Sequence, residues 1–444
     1  MNRFLFAWVL LLWISPVMVA QSELDGIDPS GQVIVYWHEW DGPQLDAMRA
    51  VVGKFNRENP HQIVVQLVGK SSSGRLLGEL ASDPDPAEAR PNVVGGIFPS
   101  HVSDLLAEGL VIPLDVYVTH PTWGVTPEDA AGIGVGVRGT FSSALGQGAW
   151  PLGLSLNVLA FNQQMLVTLG AQSIPSTLDD LTQWACAAAH STTPRGQAIQ
   201  GFPLSLTLGD FEGLVAAQGG ALYDATVANF LFNSPQSQTV LAWLQNLNAQ
   251  GCAYDPGGAY NDSRDFAYGL TPFAFTSSAG LPFIESDIMD SASGLTDWAF
   301  MPIPGSQFAA QIYLRGVGIA PSESPQARLA SWLFIRYLTT PEAQTLWARG
   351  LSYQPVNRNA YELLGEDFLT VNPAYRSVLE MLRRTDVSTF ITPPMIGYGD
   401  VENQVYEPMI EAVLAGADIP TVTTEAERAA AQVIIEAVRE ANQK

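Results

Sequence analysis

The sequence predicts an α/β protein built as two lobes, and three observations carry that expectation. The opening part of the chain alternates strand, helix and strand at a spacing that suits βαβ units and a largely parallel sheet. At 444 residues the chain is longer than one hydrophobic core usually supports. The stretch from Trp298 to Val356 then reads as a short strand, a Pro/Gly turn, a Gly-bearing strand and two helices, so the alternation returns late in the sequence.

Taken in order, the chain begins with Arg3, an apolar run from Phe4 to Ile14, a break at Pro16 and a small residue, Ala20, before Gln21. A positive end, a short apolar core and a small residue fit a cleavable export signal over residues 1–20, with an uncleaved anchor as the other reading. No Cys stands near the cleavage point to take a lipid. A polar leader, Gln21 to Gly31, precedes a buried strand at Val33 to Trp37. Leu45, Met48, Val52 and Phe55 recur at helical spacing until Asn59-Pro60 stops the helix. Strands follow at Ile63 to Leu67 and at Val93 to Phe98. The Gly-rich stretch Gly132 to Gly148 reads as a loop near a lobe crossing, after which Leu152 to Phe161 resumes as strand and Asn162 opens a helix.

Thr177 and Asp180 are placed for a capping box on a helix whose Leu178, Leu181, Ala185 and Ala188 face a core. Pro235 to Gln250 is a second amphipathic helix, and Gly269 to Ser278 returns to strand-like sequence. Ser324-Pro325 and Thr340-Pro341 each put a hydroxyl cap before a Pro at the first helical position. The C-terminal Thr424 to Asn442 reads as a long amphipathic helix.

Composition narrows the function. The formal charge of −23 leaves no basic stripe for nucleic acid and disfavours an anionic lipid surface or a polyanionic ligand. Cys186 and Cys252 are either free thiols or one bridge; export to an oxidising compartment favours the bridge. Closing that loop would add roughly 4 kcal/mol in the chain-entropy model. His38 and His101 have no second ligand at metal spacing, and no cofactor motif is present. Gly69-Lys70-Ser71 imitates the end of a phosphate loop, but the position that needs Gly is Val64. Neither a nucleophile elbow nor a zinc-protease helix is present.

Several motifs in order resemble one family. VIVYWHEWDG, then FNRENP, VLAFNQQMLVTLGAQSIPSTLDDLTQWA, FAFTSSAGLPF and the segment from Trp298 to Val356 are together similar to extracellular solute-binding proteins of ABC importers, of the maltose- and glycerol-3-phosphate-binding type. Phe161 stands where the family's crossing turn usually has Tyr. The resemblance implies a type II, Venus-flytrap periplasmic fold whose discontinuous chain crosses a hinge. Residues 21–140 and 303–348 would form lobe 1, and residues 141–302 and 349–444 lobe 2. It also implies a periplasmic monomer that performs no chemistry and hands a solute to permease subunits at the inner membrane. A carbohydrate is the first expectation.

Glycerol 3-phosphate or a glycerophosphodiester is the second, weakened because the late loop Pro393 to Gly399 has an apolar residue where those binders carry Arg. A glycoside hydrolase, which needs two carboxylates across a cleft, is the alternative of another class.

In open α/β sheets ligands bind at the carboxyl ends of strands. That rule and the resemblance select the candidates for ligand contact. Trp37, Trp40, Phe98, Tyr353 and Tyr398 offer flat faces for sugar rings, and Asp41 offers a hydroxyl acceptor. His38, Lys70 and Ser72 follow strand ends; Ser155, Asn157, Ser277 and Ser278 match the family's hydroxyl contacts. Arg315 would meet the ligand directly, and Gly316 would let a backbone N–H approach it.

Overall fold

The structure, a computed structural model, describes residues 23–82, 90–258, 260–291, 293–392, 395 and 397–441. The export signal expected over residues 1–20 lies outside them, as do parts of the late loop around Pro393. Eight strands form the main sheet: β1 (Val33–His38), β2 (Val64–Gly69), β3 (Val93–Ile97), β4 (Trp150–Asn162), β5 (Phe273–Ser277), β6 (Trp298–Met301), β7 (Phe308–Ile319) and β8 (Val387–Phe390). The helices that matter for the site are α1 (Gly42–Glu58), α2 (Ser73–Ala81), α3 (Leu178–Ala189), α4 (Leu208–Ala217), α5 (Pro235–Ala249), α6 (Asn261–Ala267), α7 (Pro325–Leu338), α8 (Pro341–Leu351) and α9 (Ile419–Ala441).

The first lobe starts as the sequence suggests. β1 pairs in parallel with β2 and with β3, and α1 crosses between β1 and β2. Parallel strands covered on both faces need continuous apolar sequence, which VIVYW and VVGGI provide. α1 packs on α8, where Gly350 leaves room for Ala47. The caps at Ser324 and Thr340 each accept a backbone N–H from the third helical residue of α7 and α8, and the Thr177–Asp180 box closes the start of α3.

Two long antiparallel strands, β4 and β7, hold the molecule together. β7 pairs with β3 through Gly316 to Ile319 and with β8 through Phe308 to Gln311, while β4 pairs along its far half with β5 and β6. Each long strand therefore belongs to both ends of the sheet. The hydrophobic cores follow the same division. Trp150, Leu152, Val317 and Ile319 join the core under α1, α7 and α8, whereas Leu159, Phe161, Ile303 and Ala309 join the core under α4, α5 and α9.

The structure corrects the sequence reading at the Gly-rich stretch. Residues 132–148 are not a plain loop: they hold the end of a short helix, Pro127–Ile133, a second, Val135–Gly139, and a small hairpin that pairs Ser142 with Gln147. Residues 303–312 share hydrophobic clusters with β4, β5 and β6 and pair with β8. Cys186 at the end of α3 is bonded to Cys252 just beyond α5. No described helix is long and apolar enough to cross a membrane.

Candidate functional site

The site is laid out by the register of β4 against β7. Tyr313 lies opposite Ser155 and Arg315 opposite Gly153, and residues opposed across an antiparallel pair share a face. Gln311, Tyr313 and Arg315 therefore line up beside Asn157, Ser155 and Gly153. Their alternating neighbours Leu314, Leu154, Leu156 and Val158 fill the hydrophobic clusters on the reverse face. The polar stripe has a core at each end, which makes it the candidate floor of a cleft between the two halves. β5 extends it, since Ser277 pairs with Asn157. β7 shifts register beside Gly316 against both β3 and β4, and such bulges bend a strand.

At the first-lobe end, Arg315 leaves the stripe and spreads over the Phe98 ring, 3.9 Å from its centroid. It donates to Ser73 Oγ at 2.7 Å and lies 3.6 Å from Glu39 Oε1. Glu39 follows the end of β1, its side chain 6% exposed, and neither oxygen accepts a hydrogen bond. Burial pushes its carboxyl pKa up, and the Arg315 charge opposes that rise. Gly95 and Gly96 make room for this carboxylate; a methyl group on Gly95 would stand 3.1 Å from Glu39 Oε2. Tyr353 closes the corner, packed edge-on against Trp40 at 5.6 Å.

At the second-lobe end the wall is acidic. Thr207 and Asp210 form a capping box at the start of α4, and Asn157 Nδ2 donates to Asp210 Oδ1 at 2.8 Å. Glu212, two residues on, accepts from Gln311 at 3.0 Å and from Thr392 at 2.6 Å. The backbone N–H of Leu208 donates to Glu402 at 2.9 Å. Asp262 in α6 is also buried. Burial raises the carboxyl pKa values of Glu212 and Asp262 to about 7 each; hydrogen bonds oppose the rise, and Asp210 adds to it at Asp262. Burial raises Asp210 as well.

The Tyr313 and Tyr398 hydroxyls sit in the field of Asp210, Glu212 and Glu402, which together with burial drives both well above the ordinary tyrosine range. Tyr260, 82% exposed, directly precedes α6, which carries Asp262.

The structure divides the sequence candidates. Phe98, Arg315, Tyr353, Ser155, Asn157, Ser277 and Tyr398 lie on or beside the stripe. Trp37 is buried with Lys70 Nζ 3.9 Å over its ring, and Lys70 is itself paired with Glu79 at 2.5 Å. Trp40 is buried edge-on against Trp347 at 4.9 Å. Neither indole therefore has a free face for a sugar ring. His38 is buried, its Nδ1 accepts the Trp40 N–H at 3.2 Å, and burial lowers its pKa to about 4. Asp41 is exposed ahead of α1. Ser72 caps α2 through Arg75 N–H, and Ser278 Oγ accepts from Leu156 N–H at 2.9 Å. A methyl group on Gly316 would stand 2.6 Å from the Phe141 ring, so that glycine makes room for core packing.

Strand-end reasoning points at the stretches that hold Glu39 and Ser73 without naming either as a contact, and it misses Asp210, Glu212, Tyr260, Asp262, Gln311 and Tyr313. A signal existed for the last two. Gln311, Tyr313 and Arg315 alternate at period two inside an otherwise apolar strand, which marks one polar face.

A family model described as bacterial extracellular solute-binding protein matches residues 50–376. No curated protein matches the chain. Among solved structures, the chain is similar to the cyclic α-maltosyl-1,6-maltose binding protein of Arthrobacter globiformis, at TM-score 0.72 and 17% identity over 90% of this chain and 98% of that one. UgpB of Mycobacterium tuberculosis, solved with glycerophosphocholine, matches at 0.71 and 19% over 92% and 100%. Maltose-bound MalE3 of T. maritima matches at 0.69 and 16% over 90% and 99%. At these identities the likeness shows the two-lobed fold.

Proposed function

The chain belongs to the bacterial extracellular solute-binding family of ABC importers, and from that premise we propose that it captures a carbohydrate in the cleft over β4 and β7 and delivers it to a membrane permease. The observation that carries this reading is the polar stripe Gln311–Tyr313–Arg315 beside Asn157–Ser155, set between two cores and flanked by Phe98, Tyr353 and Tyr398. Such a floor offers amide and hydroxyl groups to sugar hydroxyls and rings to sugar C–H faces. Similar structures bind maltose-type oligosaccharides, which supports the same ligand class here.

We place the lobe crossings inside β4, inside β7 and near Tyr353 to Asn357, as a refinement of the boundaries read from sequence. Ligand touching both walls favours the closed arrangement in proportion to its extra affinity for that state. Glycerophosphodiesters are the second reading, favoured by the likeness to the glycerophosphocholine complex. They meet a weaker electrostatic match, because Lys70 and Arg315 already face Glu79 and Glu39. The protein acts as an exported monomer and carries out no reaction.

The test is a melting-temperature and tryptophan-fluorescence screen of oligosaccharides, monosaccharides, polyols and glycerophosphodiesters, with each compound recovered and analysed afterwards. A carbohydrate that raises the melting temperature and returns intact supports the reading. Hydrolysis of the bound compound would replace it with a glycosidase.

A further inference from the structure

We propose that the second-lobe wall of the cleft receives a positively charged nitrogen on the solute, either an amino-sugar ammonium or a quaternary ammonium headgroup. The inference rests on the binding cleft proposed above and names the chemistry of one of its walls.

The first observation is an imbalance of charge. Asp210, Glu212 and Asp262 are 7%, 6% and 4% exposed, and Glu402 lies beside them at the start of α4. Among the described residues no Lys or Arg forms an ion pair with any of these carboxylates. The donors they hold are neutral: Asn157, Thr207, Gln311, Thr392 and backbone N–H groups. A buried carboxylate without a cation is costly, and such costs persist where the site serves a function.

The second observation concerns the floor beside the acids. Gln311 is 1% exposed and spends its amide N–H groups on Glu212 and Thr392, while its Oε1 is buried with no partner. Such a buried acceptor favours a cationic nitrogen, by an N–H donor where the nitrogen carries one and by charge alone where it is quaternary. The third is aromatic. Tyr313 and Tyr398 lie in the field of the same carboxylates, with the Tyr313 hydroxyl against Gly209 of α4, and Tyr260 ahead of α6 is 82% exposed with a left-handed backbone (φ 62°) that a bulky residue rarely adopts. Buried acids together with tyrosine rings suit a cationic nitrogen.

A metal ion fits less well, since no trio of His, Cys, Asp or Glu side chains among the described residues is arranged to hold one. The cations of the other wall do not reach across, because Arg315 is engaged by Ser73, Phe98 and Glu39.

The experiment is titration calorimetry on the full exported chain at neutral pH. Its first arm compares the β-1,4-linked glucosamine disaccharide with its N-acetylated form and with cellobiose. The second compares glycerophosphocholine with glycerol 3-phosphate, and so separates the two sources of charge. In at least one arm the charged-nitrogen compound should bind about tenfold tighter or more than its counterpart, and added salt should weaken only that member. In Glu212→Gln/Asp262→Asn that ratio should fall about tenfold. The melting curve of the variant shows that it folds, and Glu212→Gln alone serves if the pair does not.

Equal binding of charged and uncharged members, or a ratio unchanged in the variant, overturns the inference while leaving sugar capture standing. Failure of every compound in this panel and in the wider screen overturns both.

Discussion

At the scale of single residues, the buried acids make the clearest demands. The Glu212 and Asp262 carboxyls hold protons up to about pH 7 in the native state, whereas in the unfolded chain they release them near their ordinary values of 4.5 and 3.8. Between those limits the native state binds more protons, so these groups lower stability as pH rises toward 7, and their cost is complete above it. His38 works in the opposite sense. Its pKa is depressed to about 4, so its contribution is lost as pH falls below the ordinary 6.5. The informative quantity is therefore the difference between wild type and Glu212→Gln, followed by chemical denaturation from pH 5 to 8.

The variant should gain on wild type with rising pH, by on the order of 2 kcal/mol at pH 8. A constant difference across that range would mean that the carboxyl is not perturbed. Tyr260 gives a second prediction at this scale. Its left-handed backbone costs roughly 1 kcal/mol, which Gly would relieve in the native state and partly return through the unfolded chain. Tyr260→Gly should leave stability equal or slightly higher while weakening solute binding; a loss of stability would assign the ring a packing role.

At the scale of elements, what was legible in the sequence was whatever local chemistry controls. Pro at the first helical position after Ser324 and Thr340, the Thr177–Asp180 box and the apolar run of β1 each specify an element without outside help. The cleft was legible only in part. Strand-end reasoning selects Phe98, but Trp37 and Trp40 follow the same rule and are buried, while Asn157, Arg315 and Tyr353 come from the family resemblance. Strand position does not say which of several aromatics a neighbouring helix will cover, and α8 covers Trp40 with Trp347. Glu212 and Asp262 were invisible because their significance arises from helices distant in sequence meeting beside β7.

Two elements carry predictions of their own. The bond between Cys186 and Cys252 ties α3 to the end of α5 across a separation of 66 residues, so Cys186→Ser/Cys252→Ser should cost about 4 kcal/mol in the loop-entropy model. A melting temperature unchanged by reduction would show that the bond adds nothing. Gly153 on β4 faces Trp347 Nε1, 3.0 Å from where a methyl group would stand, and Tyr353 at 3.3 Å. Gly153→Val should overpack that junction by about 1–3 kcal/mol and displace the Tyr353 ring from the cleft, read as weaker solute binding beyond the loss of stability.

At the scale of the whole molecule, the question is how two cores joined by β4 and β7 move. Both strands run unbroken through the cleft, so the sheet pairing of each half survives any change at the register shift beside Gly316. Gln344 reinforces the junction: its amide donates to Leu152 and Leu338 carbonyls, and its oxygen accepts from Val356 N–H. Such an arrangement permits bending at a few residues while each core stays rigid, which is hinge motion. The ligand supplies the bias. The acidic wall lies in the second half and the Arg315–Phe98–Tyr353 corner in the first, so only a closed molecule satisfies both.

Small-angle scattering should therefore show a smaller radius of gyration with a bound solute. The change should be lost in a Phe98→Ala/Tyr353→Ala variant that still melts cooperatively, because its first-half corner no longer rewards closure. The charge of −23 adds a kinetic expectation. An acidic molecule attracts a cationic solute from a distance, so the association rate for an amine-bearing ligand should fall as salt rises, while that for a neutral sugar stays flat. Stopped-flow tryptophan fluorescence at low and high salt measures both rates. A salt-independent rate for the charged ligand would show that the wall acts only at contact, and that the surface charge serves something other than capture.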